Sequence, residues 1–271
     1  MNLVNRIPGS VCILARNSGA TLRRALESVR DFDDVVIADG GSTDDTCRIA
    51  REFGARIVPQ DPACLDGSGR IRDYACARNG AVRHARHDWV LYIDSDESVS
   101  AGLVEEIRGI VARGSEKWAY RVPVRIILDG REIRGSSNYP GWQTRLFRRS
   151  SGLSFVKPVH ERLDITVHDP RVEECRNPWF VHWTRDYTRH YLRHNMKYIG
   201  MQAAHSAHAP LVSVLRANLV VAAKVIAKTG INYVRCRGRD TLPLSAEAGR
   251  AAVPLILCIL SVRERLRRRT Q

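Results

Sequence analysis

The sequence predicts an α/β fold: a doubly wound, mostly parallel sheet, a mixed-strand region after it, and a basic helical C-terminal extension. Three observations predict it. Short uncharged apolar segments alternate with helical spacing over the first ~112 residues, the signature of buried parallel strands with crossover helices. Turn signals and short strand-like pieces then dominate as far as Phe180. From Asp186 onward the spacing is helical again and Lys and Arg accumulate.

Taken in order, Ser10–Ala15 (SVCILA) reads as a buried strand and Thr21–Val29 as a helix with Leu22, Ala25, Leu26 and Val29 on one face. Asp34–Ala38 is a second strand, running into Asp39-Gly40-Gly41-Ser42. Thr43 or Asp44 is placed to cap the next helix, which stops at Gly54. Ala55–Val58 is a third strand, Gln60–Gly69 a loop, and Ile71–His84 a helix. Trp89–Ile93 is a fourth strand, ending in Asp94-Ser95-Asp96-Glu97, and Ser100 caps a helix from Ala101 to about Ala112. Asp129-Gly130 between apolar runs signals a hairpin. Helices are expected near 186–205, 210–228 and 246–268. This divides the chain into residues 1–112, an α/β half; 113–185, a β-rich half of the same domain; and 186–271, the basic helical extension.

Composition narrows the class. The 271 residues are 44% apolar and 27% charged, which excludes a largely disordered or fibrous chain. The net charge of +14 is unevenly spread. Residues 1–110 hold 14 Lys+Arg against 17 Asp+Glu, whereas residues 181–271 hold 16 against 4. The basic block therefore seeks an anionic partner. The seven cysteines are widely spaced and form no C-x-x-C, so they read as small buried hydrophobes. The longest uncharged apolar run, Ala251–Val262, falls short of the ~20 residues of a span, so no transmembrane helix is expected. No basic-then-apolar leader opens the chain, and a cytoplasmic setting is expected.

The chemistry gathers at strand ends. In an open α/β sheet, ligands bind where the strands end. Asp39 and the Asp94/Asp96 pair both follow strands. A D-x-D pair there can hold a hard divalent ion, and that ion can bridge a diphosphate that carboxylates alone would repel. No P-loop and no G-x-G-x-x-G follow the first strand, so other phosphate cradles are excluded.

Ala15-Arg16-Asn17, the run from Asp39 to Thr46, Ala77-Arg78-Asn79 and Trp89–Glu97 together resemble the inverting family 2 glycosyltransferases of GT-A fold. Trp142–Arg149 and Val159–Leu163 resemble the branch that includes lipopolysaccharide core β-glucosyltransferases, and the likeness covers about residues 8–200. The resemblance implies a nucleotide site of Ala15, Asn17, Asp39, Asp94 and Arg72 or Arg78. It implies Mg²⁺ or Mn²⁺ at Asp96 and Asp94, with His182 either a third ligand or a core histidine. It implies an acceptor site of Trp142, Gln143, Arg145 and His160. Glu161 is the candidate general base and Glu97 its rival. The donor implied is a UDP-hexose and the acceptor a lipid-linked or lipopolysaccharide-core saccharide.

Two other classes fit less well. Asp94–Ser98 nearly matches a haloacid-dehalogenase nucleophile motif, but it follows the fourth strand rather than the first. A nucleic-acid binder is suggested by charge alone; aromatics are sparse in the basic third, and no nucleic-acid partner is expected. Val212–Ile226 sets an apolar face beside Arg216, Lys224 and Lys228, and Ala251–Val262 precedes a run of arginines. Both suit the interface of an anionic membrane, on the cytoplasmic face.

Overall fold

The computed structural model describes residues 6–137, 139, 141–158, 161–184, 186–206, 209–236, 238 and 240–269; several side chains between 187 and 205, and those of 268 and 269, lie outside that description. His160 therefore falls outside it. The chain forms two compact units, residues 1–124 with 140–181 and residues 125–139 with 182–271.

The first unit is built on β1 (Ile7–Ala15), β2 (Phe32–Asp39), β3 (Arg56–Pro59) and β4 (Trp89–Asp94). They pair in parallel in the order β3-β2-β1-β4. The helices between them are α1 (Leu22–Ser28), α2 (Thr46–Glu52) and α3 (Tyr74–Arg83). After the short β5 (Glu97–Val99) comes α4 (Ala101–Ala112), capped as expected by Ser100 Oγ accepting from the Leu103 N–H at 3.1 Å. β8 (Gly141–Arg148) then pairs antiparallel with β4, and β6 (Ala119–Leu128) pairs antiparallel with β8, which extends the sheet. The minor strands β9 (Phe155–Val156), β10 (Arg162–Leu163) and β11 (Val172–Glu174) complete the unit, with the first residues of β12 (Trp179–Trp183) pairing with β5.

Strand parity explains the packing. Val11, Ile13, Leu91 and Ile93 point to one face, against Leu22 and Leu26 of α1 and Leu103 and Ile107 of α4. Cys12, Val36, Val90 and Tyr92 point to the other, against Ala75 and Ala81 of α3. Each fully buried large aliphatic contributes ~1.5–3 kcal/mol. The same parity puts Asp94, two residues beyond Tyr92, on the α3 side.

The second unit holds β7 (Arg131–Ile133), α5 (Tyr187–Ser206), α6 (Leu211–Arg235) and α7 (Leu244–Arg269). The hairpin reads as expected: Asp129 and Gly130 take φ of 48° and 81°, and Ile126 faces Ile133 across the ladder. Ile126 and Ile133 pack on Leu242 and Ala246. Glu247 of α7 accepts from the N–H and hydroxyl of Ser137 at 2.8 and 2.5 Å. Helix α7 packs on α5 and α6.

Three expectations are corrected. The second helix begins at Thr46, with Asp45 rather than Thr43 or Asp44 at its N-cap; the Asp44 carboxylate instead accepts from the N–H of Thr46 and, through its other oxygen, from Gly19 of the first loop. Cys64 and Cys76 are joined in a disulfide, Cα to Cα 5.5 Å, because the loop after β3 folds back on the start of α3. α7 is long and apolar enough to cross a membrane: an 18-residue stretch within Leu244–Arg267 reaches a mean hydropathy of 1.5. The sequence reading counted only the stretch between Arg250 and Arg263, whereas the helix continues past both. Nearly half of the apolar window is buried within the protein, so length and composition are its only membrane-like properties.

At the opposite end of the strands from the acidic loops, Asp34 is buried. Burial pushes its carboxyl up, but bonds from Ser10, the Arg86 N–H and Arg56 outweigh it and hold the group below the usual carboxylate range. Asp34→Ala should cost about 2–4 kcal/mol in denaturant unfolding at neutral pH. The Asp34 contribution is complete above the unfolded carboxylate pKa of ~3.9 and disappears as pH falls through the depressed folded value. The difference between wild type and variant should therefore shrink in acid.

Candidate active site

The loops after β1 and β2 are stitched together by side chains of the Asp39–Thr46 run. Thr43 N–H donates to Asn17 Oδ1 at 2.8 Å, Asn17 N–H to Ser42 Oγ at 2.9 Å, and Ser18 N–H to Thr46 Oγ1 at 2.7 Å. Asn17 takes a left-handed φ of 50° to make this turn. Asp39 accepts from the Gly41 and Ser42 N–H groups at 3.0 Å and from Ser42 Oγ at 2.5 Å. Its residue is half-buried, and the chain leaving it is fixed by Gly40 N–H donating to Ala15 O at 2.8 Å.

Parallel register brings the acids to within one residue of the same level, on opposite faces of the sheet. Asp39 pairs with Ala15, and Asp94 pairs with Leu14 of the same central strand. The two acids thus sit two strand spacings apart, ~10 Å. Ser18 Oγ lies 2.8 Å from Ser95 Oγ, and Arg24 Nη2 donates to the Asp96 carbonyl at 3.0 Å, so the first loop and α1 both hold the Asp94–Glu97 turn.

A network of buried charges sits beneath that turn. Arg78, from α3, donates through Nη2 to Asp94 Oδ1 at 2.7 Å and through Nε to Glu161 Oε1 at 2.6 Å. Arg145, from β8, donates to Glu97 Oε1 at 2.9 Å, and the second Glu97 oxygen accepts the Asp94 N–H at 2.8 Å. Both guanidiniums lie over the Tyr92 ring, at 4.8 and 4.6 Å, and Arg145 lies 3.8 Å over Trp179. Burial is the largest influence on Asp94 and pushes its carboxyl up, but Arg78 and Arg145 outweigh it and the net shift is downward. Burial raises the Glu97 carboxyl to about 8 despite Arg145. Asp96 is exposed at its surface yet partly desolvated by the protein around it; that desolvation, and then the charge of Asp94, raises it.

Arg78, Asp94, Glu97, Arg145 and Glu161 border a cleft of about 580 Å³ that also takes in Trp142 and Gln143. Arg121 lies 5.5 Å over the Trp142 ring. Asn79, next to Arg78, clamps the backbone of Phe155 from both sides, with bonds of 3.0 and 2.8 Å, and so sets the strand that leads toward Glu161. Of the expected residues, Arg78, Asp94, Glu97, Trp142, Gln143, Arg145 and Glu161 meet at this cleft. Ala15, Asn17, Asp39 and Asp96 belong to the neighbouring strand-end loops rather than to its walls. Arg72 is exposed on the loop before α3 and donates to the Ala63 carbonyl at 3.3 Å. His182 forms no three-ligand cluster with the two acids; among the described residues no group of three His, Cys, Asp or Glu side chains converges. The sequence reading missed Tyr92 and Trp179. Parity two residues before Asp94 would have found Tyr92; Trp179 had no local signal.

The acids fit a hard divalent cation. Asp96 is exposed, takes no side-chain donor among the described residues, and is raised partly by its like-charged neighbour. A positive centre held by Asp96 and Asp94 would relieve that repulsion.

The family profile "Glycosyl transferase family 2" matches residues 10–164, more than half of the chain. Uncharacterized glycosyltransferase RP128 of Rickettsia prowazekii is 32% identical over 163 residues, 59% of this chain and 51% of that protein. Lipopolysaccharide core biosynthesis glycosyltransferase LpsC of Rhizobium meliloti is 26% identical over 189 residues, 67% of this chain and 65% of LpsC. Among solved structures, S. aureus TarS 1-349 in complex with UDP overlays 97% of this chain and 92% of its own at 13% identity and a TM-score of 0.43. The chain spans roughly a third to a half of the first curated relatives it matches. The chain belongs to glycosyl transferase family 2.

The raised Glu97 gives a pH signature. Its folded pKa lies above the unfolded value, so its stabilising proton is fully held below about 4.5 and is lost as pH rises toward about 8. Wild type should lose stability relative to Glu97→Gln across that window, by up to about 1.4 kcal/mol per pH unit. Thermal melts of both proteins across the window measure it.

Proposed function

We propose that this family 2 glycosyltransferase moves a hexose from a UDP-hexose to a lipid-linked or lipopolysaccharide-core saccharide, with inversion at the anomeric carbon. The observation that carries this reading is Arg78, which ties a strand-end acid, Asp94, to a cleft-facing acid, Glu161, through one guanidinium. An acid on the donor side and an acid on the acceptor side are thereby held within one charge-assisted network.

Each residue has a role in the scheme. Asp39, Asn17 and Ala15 line the nucleoside end, where strand-end loops leave backbone and carboxylate groups for the base and ribose, and Arg72 stands at the edge of that region. Asp96 and Asp94 would hold Mg²⁺ or Mn²⁺, which when bound supplies positive charge to the leaving diphosphate. Trp142 and Gln143 offer a stacking face and an amide to the acceptor sugar. Glu161 Oε1 is held by Arg78, and its other oxygen accepts from no described donor, which leaves it open to an acceptor hydroxyl. As the hydroxyl oxygen bonds to the anomeric carbon, the bond from that carbon to the diphosphate breaks, its electron pair leaves with the nucleotide, and the hydroxyl proton passes to Glu161. One displacement inverts the centre. Glu97 serves this site by orienting Arg145 and the Asp94 backbone, since both of its oxygens are already occupied. The acceptor class is supported by the likeness to LpsC. Its lipid anchor places the reaction at the cytoplasmic face of a membrane, with the basic helical region toward anionic lipid.

Two experiments test the reading. Calorimetric titration with UDP, GDP, ADP and CMP should show UDP binding that requires Mn²⁺ and is lost in Asp96→Ala. No nucleotide binding to the folded wild type would overturn the donor assignment. Glu161→Gln should lower kcat by about 10³-fold while leaving Mn²⁺-dependent UDP binding within two-fold. An unchanged kcat would remove Glu161 as the base.

A further inference from the structure

Among the described helices, α6 carries the most exposed large hydrophobic side chains. Val212, Leu219, Val220, Ile226, Ile231 and Val234 are each between 44% and 81% exposed. At 100° per residue these six fall within an arc of about 140° on the outward side of the helix. The opposite side is the packed one, where Val214 and Ala222 are buried. Lys224, Lys228 and Arg235 occupy the next ~60° along one margin of the stripe, with Val221 beyond them. Arg216 emerges within the stripe, where its long stem can lie along apolar surface with the guanidinium raised out of it. In 25 residues α6 holds four cations and no Asp or Glu.

Such a face has no reason to remain in water, and its charge selects the occupant. A second copy of α6 would bring four cations against four cations. An anionic lipid surface supplies the opposite charge along the margin and an acyl layer beneath the apolar arc. We propose that the outward face of α6 lies in the plane of an anionic bilayer and docks the enzyme there. This rests on the proposed membrane-anchored acceptor, and it assigns the docking to α6 rather than to the apolar run and arginine tail of α7. The α7 tail is partly committed elsewhere: Arg265 donates to the carbonyls of Ser206 and Ala209. Half of the apolar α7 window is likewise taken up by packing.

The test is flotation of the full chain with phosphatidylcholine vesicles containing about a third phosphatidylglycerol, against pure phosphatidylcholine, at about 0.1 M and 0.5 M NaCl. Wild type should float with the anionic vesicles at low salt and lose most binding at high salt. Ile231→Glu/Val234→Glu and Lys224→Glu/Lys228→Glu should each bind about ten-fold more weakly or less. Ile259→Glu, on an exposed position of α7, should bind like wild type. All variants should melt within a few degrees of wild type and keep its rate on a soluble, deacylated acceptor. Equal binding to both vesicle types, wild-type binding by both α6 variants, or loss of binding in the α7 variant would each overturn the assignment. So would a concentration-dependent dimer in sedimentation that Ile231→Glu/Val234→Glu dissolves. Vesicle binding without transfer to any soluble acceptor would count against the acceptor reading and leave the docking face standing.

Discussion

Arg78 has only 6% of its side chain exposed, and a buried cation is tolerated only where carboxylates meet it closely. Asp94 and Glu161 do so, from the end of a central strand and from a segment more than sixty residues later. Removing either acid leaves Arg78 with a single carboxylate partner; removing Arg78 leaves two acids without the cation between them. Much of the cleft is arranged to keep this contact. Tyr92 gives the guanidinium a ring face, Asn79 anchors the backbone that leads to Glu161, and the Glu97–Arg145 pair fixes the peptide on which Asp94 hangs.

The strand-end loops solve a different problem. The side chains of Asp39, Ser42, Thr43, Asp44 and Thr46 bond to the loop after β1 or to their own turn, so the motif is first a device for closing two loops against each other. A ligand bound there would meet a preformed rim, with less ordering left to be done on binding. Asp96 is the exception in this acid-rich region. It carries charge beside Asp94, no described side chain donates to it, and partial desolvation has already raised it. That imbalance makes a divalent cation physically sensible at this position.

The elements were legible because their causes are local. Parallel strands are continuous apolar runs, so β1, β2 and β4 were located within three residues at either end. Ser100 and Asp129-Gly130 announced a cap and a turn by their own side-chain and φ preferences. The site residues were legible as types: Arg78, Asp94, Arg145 and Glu161 were singled out, and all four border one cleft. What could not be read was who bonds to whom. The three-residue β5 was overlooked, since so short a strand has no periodicity and exists through its pairing with β12. The Cys64–Cys76 link was unreadable for a like reason, since twelve intervening residues had first to fold into a loop. For α7, counting between charges understated a helix whose ends are set by packing rather than by composition.

The division follows from range. By itself the sequence determined the order of strands and helices, the family motifs at the strand ends, and the placement of nearly all the basic excess in the last third, because propensity, periodicity and charge are properties of neighbouring residues. Tertiary structure alone decided that Arg78 joins Asp94 to Glu161, that Glu97 is buried against Arg145, and that α6 rather than α7 presents the broad apolar face. Each of these depends on which groups lose water together, and desolvation is settled only when distant segments pack.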